Sequence, residues 1–270
     1  FSITVTATAS TSYFWLVTNS GGGVGTVDNL SVKELTGWEV VSDNVVKFHD
    51  NSDVHIKCRN FGSHAHRSFD TLRGVEKELR TDSSAAETLY ATSLTSFNSD
   101  GFTLGAGTGV NDATVGRDSF IAWQKAYHKV FITTTNHSKR ALIAVDDVTG
   151  RSMILYQGSG SAGHNILHAL LKEPNFVLTK PVSFADNWRA HFDQVSRATF
   201  DGNVAFISDS FNMLWNDTTI TLPNNDAWNK ASSVNIAYCE TNSDNISIGS
   251  YSGSGATGNK INFGFEPSRL

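Results

Sequence analysis

The sequence predicts an all-β protein, an antiparallel β-sandwich of jelly-roll or concanavalin-like type. Three observations carry this. Short apolar runs alternate with turn residues about every 8–12 residues. Only 17% of residues are charged, and Ser, Thr, Asn and Gly take their place. That mixture suits strands with hydroxyl-bearing outer faces and tight turns. No long run shows a helical period, apart from a weak one in HNILHALLKE at 164–173.

The elements follow in order. FSITVTATAS alternates, with Phe1, Ile3, Val5 and Ala7 on one face and hydroxyls on the other, the mark of a half-buried strand. A further strand, a glycine turn from Gly21 to Gly25, and another strand extend this piece to about Leu35. TGWEVVSDNVVKFHD then opens a new unit. Residues 71–90 are rich in charge and read either as a helix capped by Ser83 or Ser84 or as a charged loop. SLTSFNSDGFTLGAGTGVN reads as a hairpin, with the turn Asn98-Ser99-Asp100-Gly101, in which Asp-Gly supplies the positive-φ residue, and then Phe102-Thr103-Leu104. Strands are expected in DSFIAWQKAYHKVFITTT and RALIAVDD, and RSMILYQ leads into the first glycine motif. Beyond these come NFVLTKPV, WRAHFDQV, NVAFISDS, TTITLPNN, SVNIAYCE, ISIGSYSG and INFGFEP.

An internal repeat runs through this pattern. FTLGAGTGVNDATVGRDSFIAWQ is similar to ITLPNNDAWNKASSVNIAYCE, with Asn111 and Asn229 in their polar loops. Each copy leads to a Tyr-x-Gly-Ser-Gly phrase, at Tyr156 and Tyr251, and on to a Glu-Pro pair, Glu173-Pro174 and Glu266-Pro267. The period is roughly 95 residues, too long for a solenoid. The expected organisation is 1–36 as terminal strands of a jelly-roll-type module or an inter-subunit strand segment. A first β domain or half then spans 37–154, and a second, possibly incomplete, repeat spans 155–270.

Both Tyr phrases contain G-x-G-x-x-G, at Gly158, Gly160 and Gly163 and at Gly253, Gly255 and Gly258. A dinucleotide fingerprint needs a helix directly after the glycines, to set its N-terminus against the pyrophosphate. NKINFGFEP alternates as a strand, and HNILHALLKEP leaves room for barely two turns. The motifs read as glycine-serine hairpins, and no cofactor is expected.

Composition excludes further classes. The net charge is −5 with no basic block, which argues against nucleic acid as a partner. The first 32 residues carry one charge, Asp28, but are too polar for a membrane span and lack a basic leader. Cys58 and Cys239 lie in no metal-binding pattern and read as two buried thiols, with a long-range disulfide as the alternative. The start at Phe1 and the stop in an apolar phrase at Leu270 suggest a piece of a longer product.

Reactive chemistry is sparse. His64 and His66 would share a strand face and need a third ligand to hold zinc. Asp50 and Asp53 beside His49, and Asp146-Asp147, carry the oxygens calcium uses, but turn chemistry explains them equally well. No metal site and no catalytic residue is assigned. Trp123 reads as core. Trp215 and Trp228 sit in polar phrases, NMLWNDTT and NNDAWNKA. They are the candidate glycan-binding residues, since an exposed indole stacks on sugar rings while neighbouring amides bind hydroxyls.

Several phrases resemble a known family. Asp70, Arg73, Gly74, Ala85, Ala86, Glu87, Phe97 to Gly105, Asn111, Ala122 and Trp123 match a domain of unknown function. That domain recurs in tail-fibre and virion structural proteins of bacteriophages, marine ones especially. YQGSGSAGHNILHALLKEPNFVLTK resembles the start of a further copy, with Leu171-Lys172 where a glycine usually falls. The resemblance covers about 37–270. Residues 1–35 are separately similar to the last strands of a jelly-roll carbohydrate-binding-type module. The resemblance implies a non-enzymatic structural subunit of an extracellular fibre or phage virion appendage. The incomplete pieces at the two ends would leave strand edges open, so an end segment is expected to pair with a neighbouring subunit in a fibre or symmetric oligomer, with glycan adhesion as an added role and no membrane insertion. A carbohydrate-binding module and a polysaccharide-degrading tail spike are the alternatives.

Overall fold

A computed structural model describes residues 51–98, 100–194, 196–202, 207–208 and 213–265. The strands expected at 1–36 lie outside these residues. The described chain is nearly all β, and its named strands pair antiparallel throughout.

The first half of the described chain runs β1 (Ser52–Cys58), β2 (Arg67–Asp70), β3 (Lys77–Arg80), β4 (Thr88–Leu89), β5 (Leu94–Asn98), β6 (Gly101–Leu104), a short helix α1 (Thr108–Asn111) and β7 (Phe120–Ala126). A hairpin follows, β8 (Lys129–Thr134) and β9 (Arg140–Asp146), then β10 (Arg151–Gln157) and β11 (His164–Leu167). The second half runs β12 (Phe176–Pro181), β13 (Arg189–His191), β14 (Ser196–Thr199), β15 (Ile207–Ser208), β16 (Leu214–Trp215), β17 (Thr219–Leu222), α2 (Asp226–Asn229) and β18 (Val234–Glu240).

Two stretches share one connectivity. In the first, the strand order is β4-β3-β2-β1-β7; in the second, β15-β14-β13-β12-β18. In each a four-strand meander is closed by a later strand that returns beside the first, a Greek-key step. In each the excursion before that return holds a strand pair, β5-β6 or β16-β17, and then a four-residue helix. The second set is wider, because β10, β9 and β8 continue the sheet beyond β18 to give eight strands.

The sheets stack in layers. One face of the eight-stranded sheet buries Ile143, Ile154, Tyr156 and Val177 against Trp215, Ile220 and Trp228, which come from the small β11-β17-β16 sheet and α2. The other face buries Met153, Ile236 and Trp188 with Leu79 of the five-stranded sheet. The far face of the five-stranded sheet buries Val54, Ile56 and Phe69 against Leu94 and Val110. Strands β9 and β18, covered on both faces, are almost continuously apolar. The Asp70-Arg73-Glu87 phrase builds an anchor inside this stack. The buried Arg73 Nε donates to Asp70 Oδ2 at 2.5 Å, and Nη1 donates to Glu87 Oε2 at 3.2 Å.

Four expectations change. HNILHALLKE is not helical: its first four residues form β11 and the rest is irregular. The charged stretch 71–90 contains β3 and β4, not a helix. The first glycine motif is not a hairpin turn, since β10 and β11 belong to different sheets and the glycines carry the chain from one to the other. ISIGSYSG and INFGFEP form no strand among the described residues; 247–260 is irregular and almost wholly exposed. Alternation marks a chain fit to pair, but a strand exists only where a partner edge meets it.

Candidate functional site

The two central sheets face each other over an interface that changes character along its length. At one end the apolar cluster of Leu79, Trp188 and Met153 fills it. At the other the facing side chains are polar. β1 alternates, so Val54, Ile56 and Cys58 belong to one face while Asp53, His55 and Lys57 line the gap between the sheets. From β7 come Trp123 and Lys125, from β12 Phe176 and Leu178, and from β18 Tyr238 and Glu240. Together they bound a cleft of about 840 Å³, extended on one side by Phe200 and Asp201.

Asp53 is the distinctive group. It is fully buried, and neither carboxylate oxygen accepts a hydrogen bond from the protein. His55 Nε2 stands 3.5 Å from Oδ2. Burial alone would push this carboxyl upward, but Lys125 and His55 outweigh it and hold it below the usual carboxylate range. Lys125 is itself paired with Glu240 at 2.7 Å. With Asp53 sealed from solvent, the polar groups the cleft offers are His55, Lys125 and Glu240, each partly exposed, between aromatic walls at Trp123, Phe176 and Phe200. Aromatic faces with acceptors and donors at their rim suit a polyhydroxylated ligand.

The residues singled out from sequence lie elsewhere. Trp215 and Trp228 are 6% and 1% exposed and pack in the core beneath the β11-β17-β16 sheet. The Trp228 ring is further covered by the guanidinium groups of Arg189 and Arg197. Neither indole has the open face a sugar platform needs. Trp123, read as core, is instead part of the cleft wall. His64 and His66 lie in a loop rather than on a strand, and His64 pairs with Asp112 at 3.8 Å. Asp146 accepts from the backbone N–H groups of Val148 and Thr149, which is turn chemistry. Among the described residues no three His, Cys, Asp or Glu side chains gather as metal ligands. Cys58 and Cys239 are both free and buried, and burial pushes the Cys239 thiol up to about 12. The sequence reading missed the cleft, although the Asp53-His55-Lys57 alternation was visible. Asp53 was read there, beside His49 and Asp50, as a calcium-type oxygen or turn chemistry; it lies instead within β1.

A family model described as a domain of unknown function, DUF7483, matches residues 28–270. The chain belongs to that family. No curated protein and no solved structure matches it.

Proposed function

We propose that the chain is a non-enzymatic structural subunit of an extracellular fibre, of the kind that forms bacteriophage tail appendages, with residues 1–36 as the end of a preceding jelly-roll-type module. One observation carries this reading. The stretch 247–265 has the apolar alternation of paired strands, yet it lies exposed, with Tyr251 72% exposed and Ile261 37% exposed. A protein that keeps such a segment open invites a neighbour to pair with it. The phage-like phrases around Phe97 to Gly105 support the same assignment. Negative-stain micrographs of the purified chain test it: filaments or regular oligomers are expected, and a dispersed monomer at high concentration defeats it.

A second reading, glycan adhesion, is favoured by the cleft between the central sheets. Its partly exposed polar groups are Lys125 and Glu240, and its aromatic walls are Trp123, Phe176 and Phe200.

A further inference from the structure

The structure shows how the first glycine phrase is held, and among the described residues the second has no such holder. β10 pairs along β18, from Arg151 with Glu240 to Gln157 with Val234. The glycine turn then crosses the end of α2. There Ser159 N–H donates to Asn229 Oδ1 at 2.7 Å, Gly160 N–H donates to the Asn229 carbonyl at 2.7 Å, and Asn229 Nδ2 donates to the Ser161 carbonyl at 2.7 Å. Gly163 N–H reaches the Leu222 carbonyl at 3.0 Å, and β11 pairs along β17. The anchoring aromatic is Tyr156, buried, with its hydroxyl donating to the Trp228 carbonyl at 2.8 Å. Contact is close enough to require glycine: a Cβ on Gly158 would sit 2.2 Å from the Lys230 carbonyl oxygen.

Residues 246–262 repeat this segment position by position. Tyr251 stands for Tyr156, Gly253-Ser254-Gly255 for Gly158-Ser159-Gly160, Gly258 for Gly163 and Ile261 for Ile166. Even the local turn agrees. Ser159 Oγ donates to the Ser161 carbonyl and Ser254 Oγ to the Ala256 carbonyl, both at 3.3 Å. Gly160 and Gly255 both have positive φ, 72° and 66°. The second turn is thus already shaped for docking, yet nothing lies within 4 Å of a Cβ on Gly253, Gly255 or Gly258.

The matching receptor is in the first half of the chain. α1 corresponds to α2, with Asn111 in the place of Asn229 and Leu104 in the place of Leu222. Asn111 Nδ2 donates to the Gly105 carbonyl at 3.0 Å, just as Asn229 Nδ2 donates to that of Pro223 at 3.1 Å. Among the described residues, the edge of β7 away from β1 and the edge of β6 away from β5 are both unpaired. Those are the positions that β10 and β11 fill beside β18 and β17. Asn111 is exposed, and β7 is largely exposed where β18 is buried.

We propose that residues 246–262 of one copy dock onto the β6-α1-β7 surface of a second copy. Ile248 to Ser252 add a strand to β7, the Gly253–Gly258 turn wraps the Asn111 side chain, and Asn259 to Asn262 pair with β6. The contact is heterologous, so it propagates as a filament or closes as a ring. This inference rests on the fibre reading and supplies its joint.

The test uses the whole chain and two substitutions that the free subunit tolerates. Gly253→Val places a side chain where the undocked arm has open space but the docked arm would meet a carbonyl oxygen. Asn111→Ala removes the receptor amide from an exposed position. Light scattering across a concentration series, with circular dichroism and melting curves, reads the result. Expected is concentration-dependent association of the unaltered chain, weakened at least tenfold by either substitution, with spectra and melting unchanged. A synthetic peptide of residues 246–264 should compete. Assemblies that persist undiminished in both variants overturn the arm exchange and leave the fibre reading standing. A chain that stays monomeric throughout overturns both.

Discussion

Lys125 Nζ lies 2.7 Å from Glu240 Oε1, so an ion pair ties the five-stranded sheet to the eight-stranded sheet across the cleft. Both side chains are partly exposed, 24% and 20%. Loss of this pair by itself, in Lys125→Met, should therefore cost less than about 1 kcal/mol. Its larger effect falls on Asp53, which loses the foremost charge holding its carboxyl down. Burial then dominates, and the Asp53 pKa rises. Carboxyl carbon shifts followed through a pH titration should show this; an unmoved Asp53 titration would mean that Lys125 does not govern it.

Glycan adhesion through the cleft makes a sharp prediction. On a glycan array, any binding should fall with Glu240→Gln, which removes a partly exposed acceptor, and fall with Trp123→Ala, which removes a stacking face. Binding that survives both places the glycan elsewhere, and an array blank for the unaltered chain removes the adhesion reading.

Trp215 and Trp228 should behave as core. Each replaced by Ala should cost about 3–5 kcal/mol of stability, because their rings fill the layer between the eight-stranded sheet and the β11-β17-β16 sheet. Urea unfolding measures it. A loss below about 1 kcal/mol would show that these indoles are not packed as described.

These two residues show where sequence reading stops. Strand character was legible wherever it depended on local pattern: the apolar runs of β9 and β18, and the Asp100-Gly101 turn of the β5-β6 hairpin. Burial of a loop tryptophan depends on what covers it, and the polar neighbours of Trp215 and Trp228 do not reveal the sheet above. The run at 246–251 reads as a strand from its apolar residues, but among the described residues no strand edge meets it. Asp53 was hidden for a related reason. A charged face on a strand normally meets water, and only the stacking of two sheets makes it the wall of a cleft.

The Asp70-Arg73 pair shows that the family-like phrase around it serves architecture. Arg73 is 5% exposed and also donates to the carbonyls of Ser68 and Lys77. Arg73→Met should leave Asp70 buried without its cation and cost about 3–5 kcal/mol. Thermal or urea unfolding reads the loss, and a near-neutral result would show that the pair is not a keystone of the fold.

Lys180 gives a pH prediction whose sign is fixed by burial. It is fully buried in β12, and its Nζ donates to the carbonyls of Ser84, at 2.9 Å, and Asp186. Desolvation lowers its pKa to about 8 from 10.5, although Asp201 and Asp186 pull the other way. Below pH 8 the amine is protonated in both folded and unfolded chains, and the full cost of burying its charge is present. Between about 8 and 10.5 the folded chain has released the proton that the unfolded chain still binds, so stability rises with pH. The whole shift corresponds to about 3 kcal/mol. Lys180→Met, which has no group to titrate, should flatten this rise. Unfolding free energies at a series of pH values for both chains measure the difference. Parallel curves would mean that Lys180 titrates as an ordinary amine.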